Sequence, residues 1–179
     1  MTFEDAARLD PDEAGGELDA GRWVPLTRNT WRHGEIVGNA HFLLLGYARR
    51  HRGWSVAVGD PGTKLASNPD VLRGPDVAIV RSDRRPRGRG VEGWLDGAPD
   101  VVVEVVGDAQ SAGDLAKKAL EYMAAGARRV WVLDPDSERV IVYSPPNALR
   151  VLSGADLLDG EDVLPGFSCA VSELFVEPE

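Results

Sequence analysis

Cysteine is almost absent from this sequence, since Cys169 is the only one among 179 residues. A single cysteine cannot form an internal disulfide, so a disulfide-stapled scaffold is excluded and we expect a reducing compartment. No apolar run approaches the roughly 18 residues that a membrane-spanning helix needs. The first residues, MTFEDAARLDPDEAGGE, lack the basic and apolar stretches of a secretory signal. These absences predict a cytoplasmic protein without a membrane segment.

Basic residues are scarce at both ends of the chain. Residues 1–20 hold seven acids and one base, and residues 151–179 hold seven acids and no base. Because these segments carry charges of -6 and -7 and the whole chain carries -9, the residues between them carry +4. The acidic total therefore does not exclude a nucleic-acid partner. Acidic ends that only maintain solubility are the alternative explanation.

The rest of the composition is that of an ordinary globular protein, with 43% apolar and 27% charged residues. At 179 residues the chain is long enough to bury its own core without metal or disulfide support. We therefore expect a single domain over residues 1–179, in which residues 1–15 form a loosely ordered N-terminal extension.

Hydrophobic periodicity predicts both helices and strands. Apolar residues recur at helical spacing over residues 30–52, and a second helix over residues 111–126 begins with Ser111 and Asp114 in capping-box spacing. Short β-branched or alternating runs predict strands in ELDAGRWVPL, WSVAV, DVAIV, DVVVEVV, RVWVLD and RVIVYS. This order indicates an α/β fold with one mixed central β-sheet flanked by helices and an N-terminal β-hairpin.

Two carboxylates stand where strands rarely carry acids. Glu104 interrupts the run VVVEVV, and alternation puts it on the same face as Val102 and Val106. Asp76 opens the run DVAIV directly after a proline. If the two strands are neighbours, their backbones lie about 4.8 Å apart and the carboxylates can converge on a cation such as Mg²⁺. The alternatives are a structural salt bridge for Glu104 and an ordinary strand-entry residue for Asp76.

A lysine on the second predicted helix is the third candidate. At about 100° per residue, Lys118 falls beside the apolar stripe of this helix, whereas Lys117 falls away from it. Lys118 can therefore reach toward the sheet, and Asp114, one turn earlier, can pair with it. A lysine that snorkels from the edge of the core is the alternative.

A series of segments resembles the Uma-two family of restriction-endonuclease-like proteins, which belongs to the PD-(D/E)XK nuclease superfamily. The resemblance is carried by GELDAGRWV, RHGEIVGNAHFLLLGYARRHRG, GPDVAIV, APDVVVEVVGDAQSAGDLAKKALEYMAAGARRVWVLDPDSERVIVY and LPGFSCAVSELF. These segments stand in the family's order and cover nearly the whole chain. The resemblance implies a restriction-endonuclease-like core with one metal-binding edge.

The same resemblance implies roles for three residues. Asp76 matches the aspartate of the PD element, and Glu104 matches the acid of the (D/E)XK element. The superfamily lysine normally stands two residues after the acid, where this chain has Val106. The Uma-two family carries it instead on the following helix in a D-x-x-x-K pattern, which Asp114 and Lys118 match. The implied catalytic residues are therefore Asp76, Glu104 and Lys118, and the first two are also the implied ligands of Mg²⁺ or Mn²⁺.

The implied function is a metal-dependent endonuclease that hydrolyses phosphodiester bonds, with DNA as the expected partner and the carbonyl of Val105 as a further metal ligand. The alternative is a catalytically weak nucleic-acid-binding or protein-interaction module on the same fold. The loop Gly107–Gln110 favours it, because the family often has Ser-Pro-Ser-Thr there. A structural domain with salt-bridged carboxylates is a third hypothesis. A homodimer would suit cleavage of a duplex, but no residue pattern indicates one.

Other polar residues have ambiguous patterns. Glu17 matches an acid in the family's first motif, but its place beside a turn is more typical of a surface glutamate. His33 lies in the apolar arc of the first helix, where a half-buried structural histidine is the more usual interpretation. Asp70 and Asp100 also follow prolines, but VLRG after Asp70 is not strand-like, and Asp100 is more typical of a strand entrance.

An arginine-rich segment follows the run that Asp76 opens. RSDRRPRGRG, residues 81–90, contains five arginines and one aspartate. We expect a loop whose arginines either contact the phosphates of a nucleic acid or are simply solvated.

Overall fold

The computed structural model describes residues 1–10, 15–107, 110–146 and 148–177. Within these ranges the chain forms three α-helices and thirteen strands, and none of the helices is long and apolar enough to cross a bilayer. The elements in chain order are α1 (Phe3–Ala6), β1 (Gly16–Asp19), β2 (Arg22–Pro25), α2 (Trp31–Arg50), β3 (Trp54–Val58), β4 (Thr63–Ala66), β5 (Val71–Arg73), β6 (Val77–Arg81), β7 (Leu95–Asp96), β8 (Val101–Val105), α3 (Ala112–Ala124), β9 (Arg129–Asp134), β10 (Arg139–Ser144), β11 (Ala148–Ser153), β12 (Leu157–Asp159) and β13 (Ser168–Ala170).

These strands form three sheets. The largest has the order β11-β10-β9-β8-β6-β3, in which β8 and β9 are parallel and the other neighbours are antiparallel. The second has the order β2-β1-β5-β4-β7, and β12 pairs with β13. The predicted mixed central sheet is confirmed. The expectation of a single sheet is wrong, because the N-terminal hairpin pairs through β1 with β5 and so belongs to a second sheet.

The two long helices pack on opposite faces of the six-stranded sheet. Val101, Val103 and Val105 of β8 belong to the same buried cluster as the apolar face of α2. Val102 points the other way and packs with the apolar face of α3. Because side chains alternate along a strand, β8 is covered on both faces, which explains its nearly continuous run of valines.

Capping residues determine where both helices begin. The side chain of Thr30 accepts a hydrogen bond from the backbone N–H of His33 at the start of α2. Ser111 and Asp114 form the predicted capping box at the start of α3. Each arrangement satisfies N–H groups that the helix leaves unpaired, and so holds the first turn of the helix in place.

The start of the chain differs from the loosely ordered extension that the sequence predicts. Phe3 and Ala6 of α1 are buried against Leu18 and Leu72 of the five-stranded sheet. The backbone N–H of Phe3 also donates to the carboxylate of Asp70, at 2.8 Å. The described part of this segment, residues 1–10, is therefore packed on the fold. The rest of the predicted extension includes residues 11–14, which lie outside the described residues.

Candidate active site

The strand register brings the two predicted acids together. Strands β6 and β8 pair with Val77 opposite Val103, so one further step places Asp76 opposite Glu104 on the same face. The backbone N–H of Val105 donates a hydrogen bond to Asp76 Oδ2 at 2.7 Å. Both carboxylates are largely buried, with Asp76 9% and Glu104 4% exposed. The condition that their strands be neighbours is therefore met.

Glu104 is a buried acid with one neutral hydrogen-bond donor. The hydroxyl of Tyr122 donates to Glu104 Oε1 at 2.8 Å. Burial raises the pKa of Glu104 to about 8, and the charges of Asp76 and Glu17 act in the same direction. The charge of Lys118 and the Tyr122 hydrogen bond oppose this pKa shift. Without a bound metal ion, Glu104 is therefore largely protonated at neutral pH.

Lys118, rather than Lys117, lies at this site, as the helical spacing predicts. Its Nζ is 2.9 Å from Glu17 Oε1, whereas Lys117 reaches the more exposed Asp19. Burial acts to lower the pKa of Lys118, but the negative charges of Glu104 and Glu17 outweigh it, so the pKa is raised. Lys118 is therefore a fixed positive charge.

The expected pairing of Asp114 with Lys118 is wrong. Asp114 accepts hydrogen bonds from the backbone and hydroxyl of Ser111 and stays at the exposed helix start. These hydrogen bonds lower the pKa of Asp114. Because the capping box holds its carboxylate at the N-terminus of α3, the lysine one turn later pairs with Glu17 instead.

Glu17 is not the surface glutamate that its position beside a turn suggests, since it is only 3% exposed. Lys118 and the backbone N–H of Gly74 both donate to its Oε1, and Arg73 donates to Oε2 at 3.2 Å. Its two oxygens are thus held by two cations and a backbone donor. The match to the family's first motif was the only sequence signal for this position.

Arg73 is a buried cation beside Glu17 that no sequence pattern indicates. Its guanidinium is 4% exposed and contacts the carboxylates of Glu17, Asp19 and Glu121. These contacts join β5 to β1 and to α3, so Arg73 holds Glu17 in place from behind. An arginine in the short run VLR has no pattern that predicts such a role.

Two further side chains border the acids. His33 Nε2 lies 3.2 Å from the carbonyl oxygen of Val105 and 3.5 Å from Asp76 Oδ2. Burial acts to lower the pKa of His33, but Asp76 and the Val105 carbonyl raise it overall. Asp60, in the turn after β3, has its pKa raised by burial and by the charges of Asp76 and Glu17. The sequence pattern around His33 does not assign this residue to the site, and no sequence pattern indicates Asp60.

These residues surround a cavity of about 300 Å³. Its wall is completed by residues 26–30, at the start of α2, and by Gly107 and Gln110, while residues 108–109 lie outside the described residues. We call it the central cavity; its titratable lining residues are Glu17, Arg28, His33, Asp60, Asp76, Glu104 and Lys118. No residue of the arginine-rich segment 81–90 lines it.

The alternative aspartates lie elsewhere. Asp70 accepts the N–H of Phe3 and so anchors α1. Asp100 accepts the N–H of Arg81, at the end of β8 opposite to Glu104. Both are therefore occupied with local structure, which agrees with the preference for Asp76.

The oxygen atoms at the strand ends suit a hard cation. Among the described residues, neither Asp76 Oδ1 nor Glu104 Oε2 accepts a hydrogen bond, while the second oxygen of each carboxylate has a donor. The carbonyl of Val105 adds a third oxygen beside Asp76. Carboxylate and carbonyl oxygens are the ligands that Mg²⁺ and Mn²⁺ prefer. In the described part of the chain, no three side chains of His, Cys, Asp or Glu form a metal-binding group on their own.

The family model described as "Putative restriction endonuclease" (Uma2) matches residues 3–172. The chain belongs to this family. The resemblance noted from its segments is thereby confirmed over nearly the whole sequence.

A solved structure has the same fold. It is a crystal structure described as a "putative nuclease belonging to DUF820" from Anabaena variabilis, with a TM-score of 0.84 and 20% sequence identity. The match covers 98% of this chain and 97% of the other. At this identity the likeness shows the fold alone. None of the curated proteins matches the chain.

Proposed function

We propose that this protein is a nuclease that depends on Mg²⁺ or Mn²⁺ and hydrolyses phosphodiester bonds in DNA. One observation carries the proposal: Asp76 and Glu104 face each other on neighbouring strands, and Lys118 approaches the same cavity from α3. Burying two carboxylates beside a cation costs folding free energy, and such groups are common at functional sites. Membership of a family of putative restriction endonucleases agrees with a catalytic function for them.

Three oxygen donors would hold the metal ion. They are the free oxygens of Asp76 and Glu104 and the carbonyl of Val105. When bound, such an ion lowers the pKa of a water molecule and screens the charge of a phosphate. The Val105 N–H and the Tyr122 hydroxyl orient the two carboxylates from behind, as supporting hydrogen bonds do in metal sites.

Lys118 supplies the positive charge that phosphoryl transfer requires from the protein. Because the pKa of Lys118 is raised, its ammonium stays protonated at neutral pH. It is therefore suited to donate hydrogen bonds to a phosphate oxygen or to orient water, and not to remove a proton. Glu17 holds this ammonium in place through a salt bridge of 2.9 Å, and Arg73 holds Glu17 through a contact of 3.2 Å.

The start of α2 offers donors to the phosphate backbone. Arg28, Asn29 and Thr30 line the central cavity where the N-terminus of the helix begins. The first turn of α2 contains no acidic residue. Unpaired N–H groups and the positive end of the helix dipole favour an anion at this place.

Titration calorimetry with Mn²⁺ tests the proposal. We expect saturable binding by the wild type and at least about tenfold weaker binding by Asp76→Asn and by Glu104→Gln, which each remove one charged ligand. Asp96→Asn is the matched control, because Asp96 pairs with Lys64 at the surface outside the cavity and should leave binding unchanged. Nicking of supercoiled plasmid DNA should follow the same order. A wild type that binds no Mn²⁺, or whose binding is indifferent to both site variants, would refute the proposal.

A binding module without catalysis is the second candidate. It is favoured by the lack, within the described ranges, of a metal-binding group of three side chains, since Glu17 is already held by Lys118, Arg73 and Gly74. This function predicts DNA binding that needs no metal and plasmid that stays intact with Mn²⁺. The plasmid assay separates the two candidates.

A further inference from the structure

Positive charge is concentrated in two adjoining segments that do not line the central cavity. The first contains Arg49, Arg50 and Arg52, at the end of α2, and the second is the arginine-rich segment with Arg81, Arg84, Arg85, Arg87 and Arg89. Together they hold eight of the 20 basic residues of a chain whose net charge is -9. The segments meet where the N–H of Ser82 donates to the carbonyl of Gly53, at 2.9 Å. All eight arginines are exposed.

The second segment begins at the end of β6 far from the central cavity and ends near a neighbour of that cavity. It starts at the far end of β6, where Arg84 contacts Asp100. Arg85 then lines a cavity together with Ala57 of β3 and Ala78 of β6. Gly90, just after the last arginine, borders a cavity that shares Asp60 with the central cavity. We call residues 81–89 the arginine strip.

Seven of the eight arginines have no acidic partner within the described residues, whereas some arginines elsewhere have several. Arg73, Arg129 and Arg150 each contact at least two carboxylates. Within the described residues, Arg84 is the only member of the eight that forms a salt bridge, and Arg81 lies over the ring of Trp54. Intramolecular ion pairs therefore account for Arg73, Arg129 and Arg150, but within the arginine strip they account only for Arg84.

The strip is held in place by its own contacts. The N–H of Arg81 donates to Asp100, and Arg84 donates to the carbonyl of Ala98 at 2.7 Å. The chain then packs tightly, because a Cβ at Gly88 would lie 2.4 Å from the Cβ of Glu92. The backbone of the strip is therefore held both at its start and near its end.

We infer that the arginine strip is a second nucleic-acid contact surface, which binds the phosphate backbone of duplex DNA beside the cleaved bond. This inference rests on the proposed function and adds to it which part of the substrate the protein contacts. Arginine contacts to phosphates give affinity without sequence preference.

Fluorescence anisotropy of a labelled 30-base-pair duplex, in EDTA and at several salt concentrations, tests the strip without cleavage. The variant Arg85→Ala/Arg87→Ala/Arg89→Ala should lower the affinity and make the slope of log K against log salt shallower by about two to three, because each phosphate that an arginine neutralises contributes about 0.9 to this slope. Lysine at the same three positions should keep most of the slope.

The charge-matched control replaces exposed arginines elsewhere, Arg8→Ala/Arg22→Ala/Arg139→Ala, and should keep the slope of the wild type. Equal reductions of affinity in the two alanine variants, an unchanged slope in the strip variant, or no duplex binding by the wild type at 50 mM salt would each overturn the inference. Mn²⁺ titration of the strip variant should match the wild type. If the wild type binds no Mn²⁺ but binds duplex through the strip, the nuclease proposal fails and the strip stands.

Discussion

Replacing Glu104 by glutamine gives a direct measure of what the buried acid costs the fold. In the wild type, the pKa of Glu104 is about 8 in the folded protein, against 4.5 for the free group. Between these two pH values the unfolded chain has released the proton that the folded protein keeps. The contribution of Glu104 to stability is therefore greatest below pH 4.5 and falls as the pH rises to about 8. Glutamine has the same shape but does not titrate, so the stability of the Glu104→Gln variant lacks this decline.

The magnitude follows from the size of the pKa shift. At about 1.4 kcal/mol per pH unit, the wild type loses on the order of 3 kcal/mol between pH 5 and pH 8. Glutamine adds a buried amide that needs a partner, which costs about 1 to 3 kcal/mol at every pH. The quantity to compare is thus the change with pH and not the stability at one pH.

Urea denaturation in EDTA at pH 5, 7 and 8 measures this change. We expect the free energy of unfolding of Glu104→Gln, relative to the wild type, to increase by about 3 kcal/mol from pH 5 to pH 8. In a parallel measurement without EDTA, Mn²⁺ should stabilise the wild type at pH 8, because it replaces the proton, and should leave the variant unchanged. A difference that is the same at all three pH values would refute the reasoning on burial.

Three more substitutions test the surroundings of Glu104. Lys118→Met should still bind Mn²⁺ at pH 8.5 but lose about 10² to 10³ in plasmid nicking rate, whereas retained nicking would exclude Lys118 from the reaction. Arg73→Met should lower the free energy of unfolding by about 3 to 5 kcal/mol in urea, since it leaves buried acids unpaired; a decrease below 1 kcal/mol would contradict this. Tyr122→Phe removes a hydrogen bond that lowers the pKa of Glu104, so calorimetry should find Mn²⁺ affinity reduced more at pH 7 than at pH 9.

The elements that the sequence predicts well are those with local signals. Helix α2 lies within the predicted residues 30–52, because its periodicity and the Thr30 cap act over only a few residues. Six strands lack a sequence prediction, and all of them except β11 have only two to four residues; they are β4, β5, β7, β11, β12 and β13. Segments of this length carry too few side chains for alternation to be recognised, and their pairing partners are distant in sequence.

Half of the candidate site could also be read from the sequence. Asp76 and Glu104 stand out because an acid in an apolar strand is costly wherever that strand is buried. Lys118 follows from helix geometry alone. Glu17, Arg73 and Asp60 could not be found in this way, since an acid beside a turn is buried only if cations from other elements meet it.

The sequence by itself determined the helices, the longer strands and the two strand-borne acids, because periodicity, capping and the cost of burying charge depend on neighbouring residues. Only the tertiary structure decided what surrounds those acids. The pairing of β1 with β5 brings Glu17 to Arg73, which is 56 positions away along the chain, and to Lys118, which is 101 positions away. Likewise, the arginine strip lies beside the sheet because Asp100 and Ala98 hold it there. Electrostatic energy depends on distance in space, which local sequence patterns do not contain.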